Sequence, residues 1–146
     1  MEKLYALSIR QPWLDMIVRG VKTMEIRTWQ VRHRGVIALH APLRIDFRPA
    51  HFYGYNNPLT LPRGKIIAIA EISDVVTLDG DSWQKFLEQH RDPLAMASGA
   101  YGVILTNVRE LQPHVACKGR QLLFELDQDV AERVRRLAGL NQLSLS

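Results

Sequence analysis

Residues 4–9, LYALSI, alternate weakly and are rich in strand formers, which predicts a first β-strand. The period then changes. In RQPWLDMIVRG, residues 10–20, Trp13 and Ile17, then Leu14 and Val18, recur at i,i+4. Pro12 suits a first helical turn and Gly20 suits the left-handed position after a helix, so a short helix is expected with Trp13 on its buried stripe. KTMEIRTW, residues 22–29, returns to period two: Met24, Ile26 and Thr28 face one way, while Glu25, Arg27 and Trp29 face the other.

RGVIALHA, residues 34–41, reads as a strand with Val36, Ala38 and His40 on one side and Ile37 and Leu39 on the other. Residues 42–62 hold four of the seven prolines together with YGYNN, so an irregular excursion is expected, with a helical turn near RPAHFY. GKIIAIAEISDVV, residues 64–76, is a nearly continuous apolar run and predicts a central strand buried on both faces. DSWQKFLEQH, residues 81–90, predicts a helix with Asp81 or Ser82 as N-cap. Two further strands are expected at 98–111 and 120–127, joined by the turn QPHVACKG, in which Gly119 is explained by the turn alone. A last helix from about 129 to 138 places Val130, Val134 and Leu137 inward and Arg133, Arg135 and Arg136 outward, and residues 141–146 are expected to fray.

Many strands with helices inserted at irregular points indicate an α+β fold: a mixed or antiparallel sheet curled into a β-barrel with helices packed at its edge. A length of 146 residues suits a single domain, 1–146, with its core at about 4–127. No G-x-G-x-x-G or G-x-x-x-x-G-K-[ST] follows a strand, which argues against a doubly wound nucleotide fold. No apolar run reaches the roughly 18 residues of a membrane span, and MEKLYALSIR is too charged for a secretory signal, so a cytoplasmic location and no membrane partner are expected.

Cys117 is the single cysteine, which rules out an intramolecular disulfide and disfavours a cysteine-rich metal site, so neither metal nor cofactor is expected. The net charge of +4 is modest, but its distribution is not even. Arg19, Lys22, Arg27, Arg32 and Arg34 crowd into sixteen residues against one acid, Glu25, concentrating positive potential there. No Ser-His-Asp or His-x-x-x-His spacing with chemical meaning is visible.

At SIRQPW, GVKTMEIRTW, RHRGVIALHA and PHVACKGRQLLFEL, in this order from Ser8 to about Leu126, the sequence resembles the activating signal cointegrator homology (ASCH) family, a branch of the PUA-like β-barrels. The resemblance implies a barrel of about six strands, with a cleft between the helix that starts at Gln11-Pro12 and the face carrying Lys22 to Trp29. It also implies a nucleic-acid partner, RNA sooner than DNA, or a nucleoside-like ligand, since family members mainly bind RNA or DNA. Some members are reported as nucleases, and one bacterial branch hydrolyses N4-acylated cytidine. The catalytic lysine of that branch aligns with Lys22, but its threonine nucleophile, three residues later, is Glu25 here.

Two readings of these residues stand side by side. Lys22, Glu25 and Arg27 form either a solvated face with weak ion pairs or the floor of a cleft in which Arg27 and Lys22 meet phosphate or base edges. Trp29 is either stacked on arginine or a platform for an unstacked base. Arg10 and Gln11 at a helix start, Arg32 and Arg34 in a turn, His40 and Lys118 complete the candidate set, with His40 also readable as a satisfied core histidine. As an enzyme the chain would rely on Lys22 and Glu25, although a carboxylate beside Lys22 should stabilise its charged form. A third reading, a protein-binding adaptor, would use the aromatic loop from Phe47 to Tyr55. The oligomeric state is not legible.

Overall fold

The computed structural model describes residues 2–93 and 99–140. Six strands run β1 (Tyr5–Ser8), β2 (Met24–Arg27), β3 (Gly35–Ala41), β4 (Lys65–Leu78), β5 (Ala100–Ala116) and β6 (Leu123–Glu125). Between and after them lie α1 (Trp13–Val18), α2 (Phe47–Phe52), α3 (Gly80–Lys85), α4 (Leu87–His90) and α5 (Gln128–Leu137), with a 3-10 turn at Pro58–Thr60. The strands pair in the order β2-β5-β4-β3-β1-β6. Only β1 and β3 are parallel, and their register sets Ser8 opposite His40.

The expected barrel closure is not formed. The sheet is open, with β2 and β6 at its two edges. These strands are four and three residues long, too short to lap onto one another, while β4 and β5 run 14 and 17 residues and bend at three register shifts. One shift explains why the predicted turn at 112–119 is strand as far as Ala116. Ile66 pairs with Val115 and Ala68 with Glu110, so Pro113 falls in the stretch bulged against Ile67, where no ladder N–H is needed.

Both faces of the sheet are covered, which is why β4 reads as a continuous apolar run. Leu7, Ile37, Leu39, Ile67 and Ile72 pack with Leu14 and Ile17 of α1 on one side. Leu4, Ala38, Ile66, Ile69 and Phe124 pack with Ala131 and Val134 of α5 on the other. Arg135, expected outward, is instead 6% exposed, and its guanidinium donates to the Glu2 carbonyl. The helix expected at 81–90 begins earlier and breaks in two. Asp79, not Asp81 or Ser82, is its N-cap, accepting from the Asp81 and Ser82 N–H groups while Ser82 returns a bond to the Asp79 N–H. The tail 141–146 lies outside the described residues.

The excursion at 42–62 is tied down at several points. Gln11 is 1% exposed; its Nε2 donates to the Pro62 carbonyl at 3.0 Å and its Oε1 accepts from the Asp15 N–H at 2.8 Å. Tyr55 donates to Asp15 Oδ2 at 2.7 Å, the same oxygen that accepts from Arg19, and burial with this bond drives the phenol well above its ordinary range. Tyr53 donates to the Arg91 carbonyl. Phe47 and Phe52 stay 58% and 56% exposed.

Candidate functional site

After α1, Gly20 turns the chain in the left-handed region (φ +79°) and the Lys22 N–H bonds back to the Met16 carbonyl at 3.2 Å. This turn drives the Lys22 side chain inward before β2 begins. Lys22 is 2% exposed. Its Nζ donates to the His90 carbonyl at 2.6 Å, lies 3.5 Å from Glu25 Oε1 and stands 4.7 Å from the centroid of the Trp13 ring. Glu25, buried at 8% exposure, holds Arg27 Nη2 at 3.1 Å through its other oxygen, and Arg27 also donates to the Ser8 carbonyl. The Arg27 Nε–H is buried and finds no acceptor among the described residues.

These charges are therefore not a solvated strand face. Burial lowers the Lys22 pKa from its ordinary value of 10.5, while the Glu25 charge pulls it upward and is outweighed. The carboxylate does favour the ammonium form, as expected from the sequence, but the burial that outweighs it comes from distant segments and is not legible there.

These residues form the floor of a cleft of about 1210 Å³. One wall is the 42–46 segment with Arg44 and Asp46; the other is the 117–122 turn with Lys118 and Arg120. Arg10 lies exposed on the rim and Trp29, half-buried just beyond β2, lines the cleft while packing on the core. Trp13, expected on the core stripe, packs against the core and also lines the same cleft, half-buried, its Nε1–H donating to Asp46 Oδ2 at 3.0 Å. Its i,i+4 spacing to Ile17 does mark a buried stripe, and the indole bridges that stripe and the cleft. Lys22, Glu25, Arg27, Trp29, Arg10, His40 and Lys118 are thus brought together. Gln11 is spent on its two internal bonds, and Arg32 and Arg34 lie outside the cleft, Arg34 donating to the Val31 and His33 carbonyls.

His40 is 1% exposed, yet it borders the cleft through Ser8. Its Nε2 lies 2.7 Å from the Cys117 carbonyl and its Nδ1 lies 2.9 Å from Ser8 Oγ. A carbonyl only accepts, so Nε2 carries the proton and Nδ1 accepts from the Ser8 hydroxyl. Burial lowers the His40 pKa, which keeps the ring neutral. Gly119 closes over this pair: a Cβ there would stand 2.5 Å from His40 Cε1 and 3.2 Å from Ser8 Oγ. Close approach, rather than the turn itself, requires this glycine.

The ASCH domain family profile matches residues 7–115. The chain is 24% identical over 143 residues to activating signal cointegrator 1 of Homo sapiens and to that of Mus musculus, in each case over 90% of this chain. It spans about a quarter of the length of these curated relatives (24%). The crystal structure of ASCH from Zymomonas mobilis superposes with a TM-score of 0.65 at 17% identity, covering 92% of this chain and 95% of that one. A single-substitution variant of the Zymomonas mobilis protein gives 0.65 over 93% and 99% at 17% identity. With three quarters of its length matched by the profile, from β1 to the end of β5, this chain belongs to the ASCH domain family.

Proposed function

We propose that the cleft binds nucleic acid, with an unpaired nucleotide of RNA as its preferred occupant. The observation that carries this reading is the combination of floor and walls. Among the described residues, six cationic side chains line the cleft (Arg10, Lys22, Arg27, Arg44, Lys118, Arg120) against three acids (Glu25, Asp46, Asp92), together with Trp13 and Trp29. Rim cations suit phosphates, the indoles suit a base face, and the buried Lys22–Glu25–Arg27 row suits the donor and acceptor edge of a base. The family's association with RNA binding favours RNA over DNA.

A titration of labelled single-stranded RNA at several salt concentrations tests this. Neutralising four phosphates predicts a log–log slope of about −3, at roughly −0.7 per phosphate for single strands. Lys118→Ala should flatten that slope by roughly 0.7. Trp29→Ala should lower affinity by an amount matching loss of one stacked base, about 1–3 kcal/mol, with the slope unchanged. Binding that stays undiminished in Arg27→Ala, Trp29→Ala and Lys118→Ala alike refutes the assignment. A hydrolytic reading draws on geometry of the same floor: Lys22 lies 3.5 Å from Glu25 at the base of the cleft, and burial lowers its pKa, the direction a general base needs.

A further inference from the structure

The parallel pairing of β1 with β3 brings together two residues 32 positions apart that no sequence spacing connects: Ser8 and His40. Their arrangement has three parts. The Ser8 hydroxyl, partly exposed in the cleft, lies 2.9 Å from His40 Nδ1, to which it donates, with the Arg120 carbonyl a longer second acceptor at 3.4 Å. The imidazole is locked in the tautomer that leaves Nδ1 basic, because Nε2–H is held by the Cys117 carbonyl at 2.7 Å and the ring is braced edge-on against Phe124 at 5.9 Å. The Arg27 guanidinium donates to the backbone carbonyl of Ser8, which fixes the strand end that carries the hydroxyl. A nucleophile within hydrogen-bond reach of a base, with the base oriented by a third group, is the core of nucleophilic acyl transfer.

We infer that Ser8 and His40 form a nucleophile–base pair that attacks the carbonyl of an ester or amide admitted to the cleft. In the first step His40 Nδ1 takes the Ser8 proton while the Oγ lone pair forms a bond to the acyl carbon and the carbonyl π pair moves to oxygen. Collapse of that oxyanion breaks the bond to the alcohol or amine, which leaves with the bonding pair and receives the proton from His40, leaving acyl-Ser8. Water then attacks the ester, gives its proton to His40, and releases a carboxylic acid with Ser8–OH restored. Both steps use the same ring nitrogen, and Nε2–H stays on the Cys117 carbonyl, which stabilises the transient imidazolium. The pair also supplies a hydroxyl nucleophile that position 25 lacks.

A biotinylated fluorophosphonate, which forms an Oγ–P bond with loss of fluoride and the serine proton, reports this reactivity on the protein alone, whether or not it binds oligonucleotide. The expected result is a single adduct located by peptide mass spectrometry on Ser8, not on Ser73 or Ser82, and lost when the protein is unfolded before labelling. Ser8→Ala should abolish it. His40→Asn, which keeps an acceptor facing Ser8 but cannot take its proton, should slow labelling at least tenfold, and p-nitrophenyl acetate hydrolysis should fall in parallel. Absence of labelling in the folded parent, or an adduct shared evenly with other serines, overturns the inference without recourse to any variant. Equal labelling rates in a folded His40→Asn protein would do the same and leave the pair a clamp between strands.

Discussion

Replacing Glu25 by glutamine should destabilise the protein more than replacing Lys22, although the lysine is the more deeply buried of the two. Glu25 stands between two cations, 3.5 Å from Lys22 Nζ and 3.1 Å from Arg27 Nη2. Gln keeps the shape and one acceptor but leaves two buried or half-buried positive charges facing each other with no counter-charge between them. Breaking a buried pair typically costs 3–5 kcal/mol; the His90 carbonyl and the Trp13 face still serve Lys22, so about 2–4 kcal/mol is expected. For a chain of this size that is a fall of roughly 4–16 °C in melting temperature, at about 2–4 °C per kcal/mol. Lys22→Met leaves Glu25 paired with Arg27 and removes a charge that burial disfavours, so it should cost about 0–2 kcal/mol. The double variant should lie closer to the parent than Glu25→Gln does, a non-additivity readable in a thermal or urea double-mutant cycle.

The pH dependence follows from the same residue. The folded pKa of Lys22 lies below its ordinary 10.5, so between those two values the unfolded chain binds more protons and stability rises with pH. Subtracting the Lys22→Met profile from that of the parent isolates this rise. A Glu25→Gln protein within 0.5 kcal/mol of the parent, an estimate of ordinary surface-substitution scatter, or a flat difference profile, would mean that the row is solvated and the burial argument wrong.

Gly119→Ala places a methyl group inside contact distance of the His40 ring and should cost about 1–3 kcal/mol by differential scanning calorimetry. Unchanged melting would show that the 117–122 wall moves freely away from the strands. Asp79→Ala removes the cap of α3 and should lower the midpoint of chemical denaturation. His40 and His90 are both held below their ordinary 6.5 chiefly by burial, so their contribution is complete above about 6.5 and is lost as the pH falls below it. Urea midpoints measured between pH 7 and 5 should therefore decline, and less steeply in a folded His40→Asn protein.

Much of this architecture is legible in the residues because local pattern and global packing agree. The period-two run at Met24–Arg27, the i,i+4 pairs of α1, Gly20 and the apolar run of β4 each answer to a single physical demand. What was not legible depends on contacts between distant segments. Asp79 lies two residues before the first obvious cap, and only the return bond from Ser82 singles it out. Arg135 looks like its outward neighbours until the Glu2 carbonyl is placed beside it. The Ser8–His40 contact depends on which strand lies beside β1, and Trp13 carries both a core spacing and a cleft position. Signals did exist for some of these: a tryptophan following Gln11-Pro12 at a helix start, and a lone glycine after Lys118.

Ser8 ends β1, and His40 lies one residue from the end of β3, so the proposed pair is mounted on strand tips while the segments at 42–46 and 117–122 rise around it as separate pieces of chain. The floor and the cationic walls are thus built from different segments, joined where the Cys117 carbonyl holds the His40 ring. Arg44, Lys118 or Arg120 can be exchanged without disturbing the packing beneath, and a related chain could acquire a new ligand by altering its walls alone.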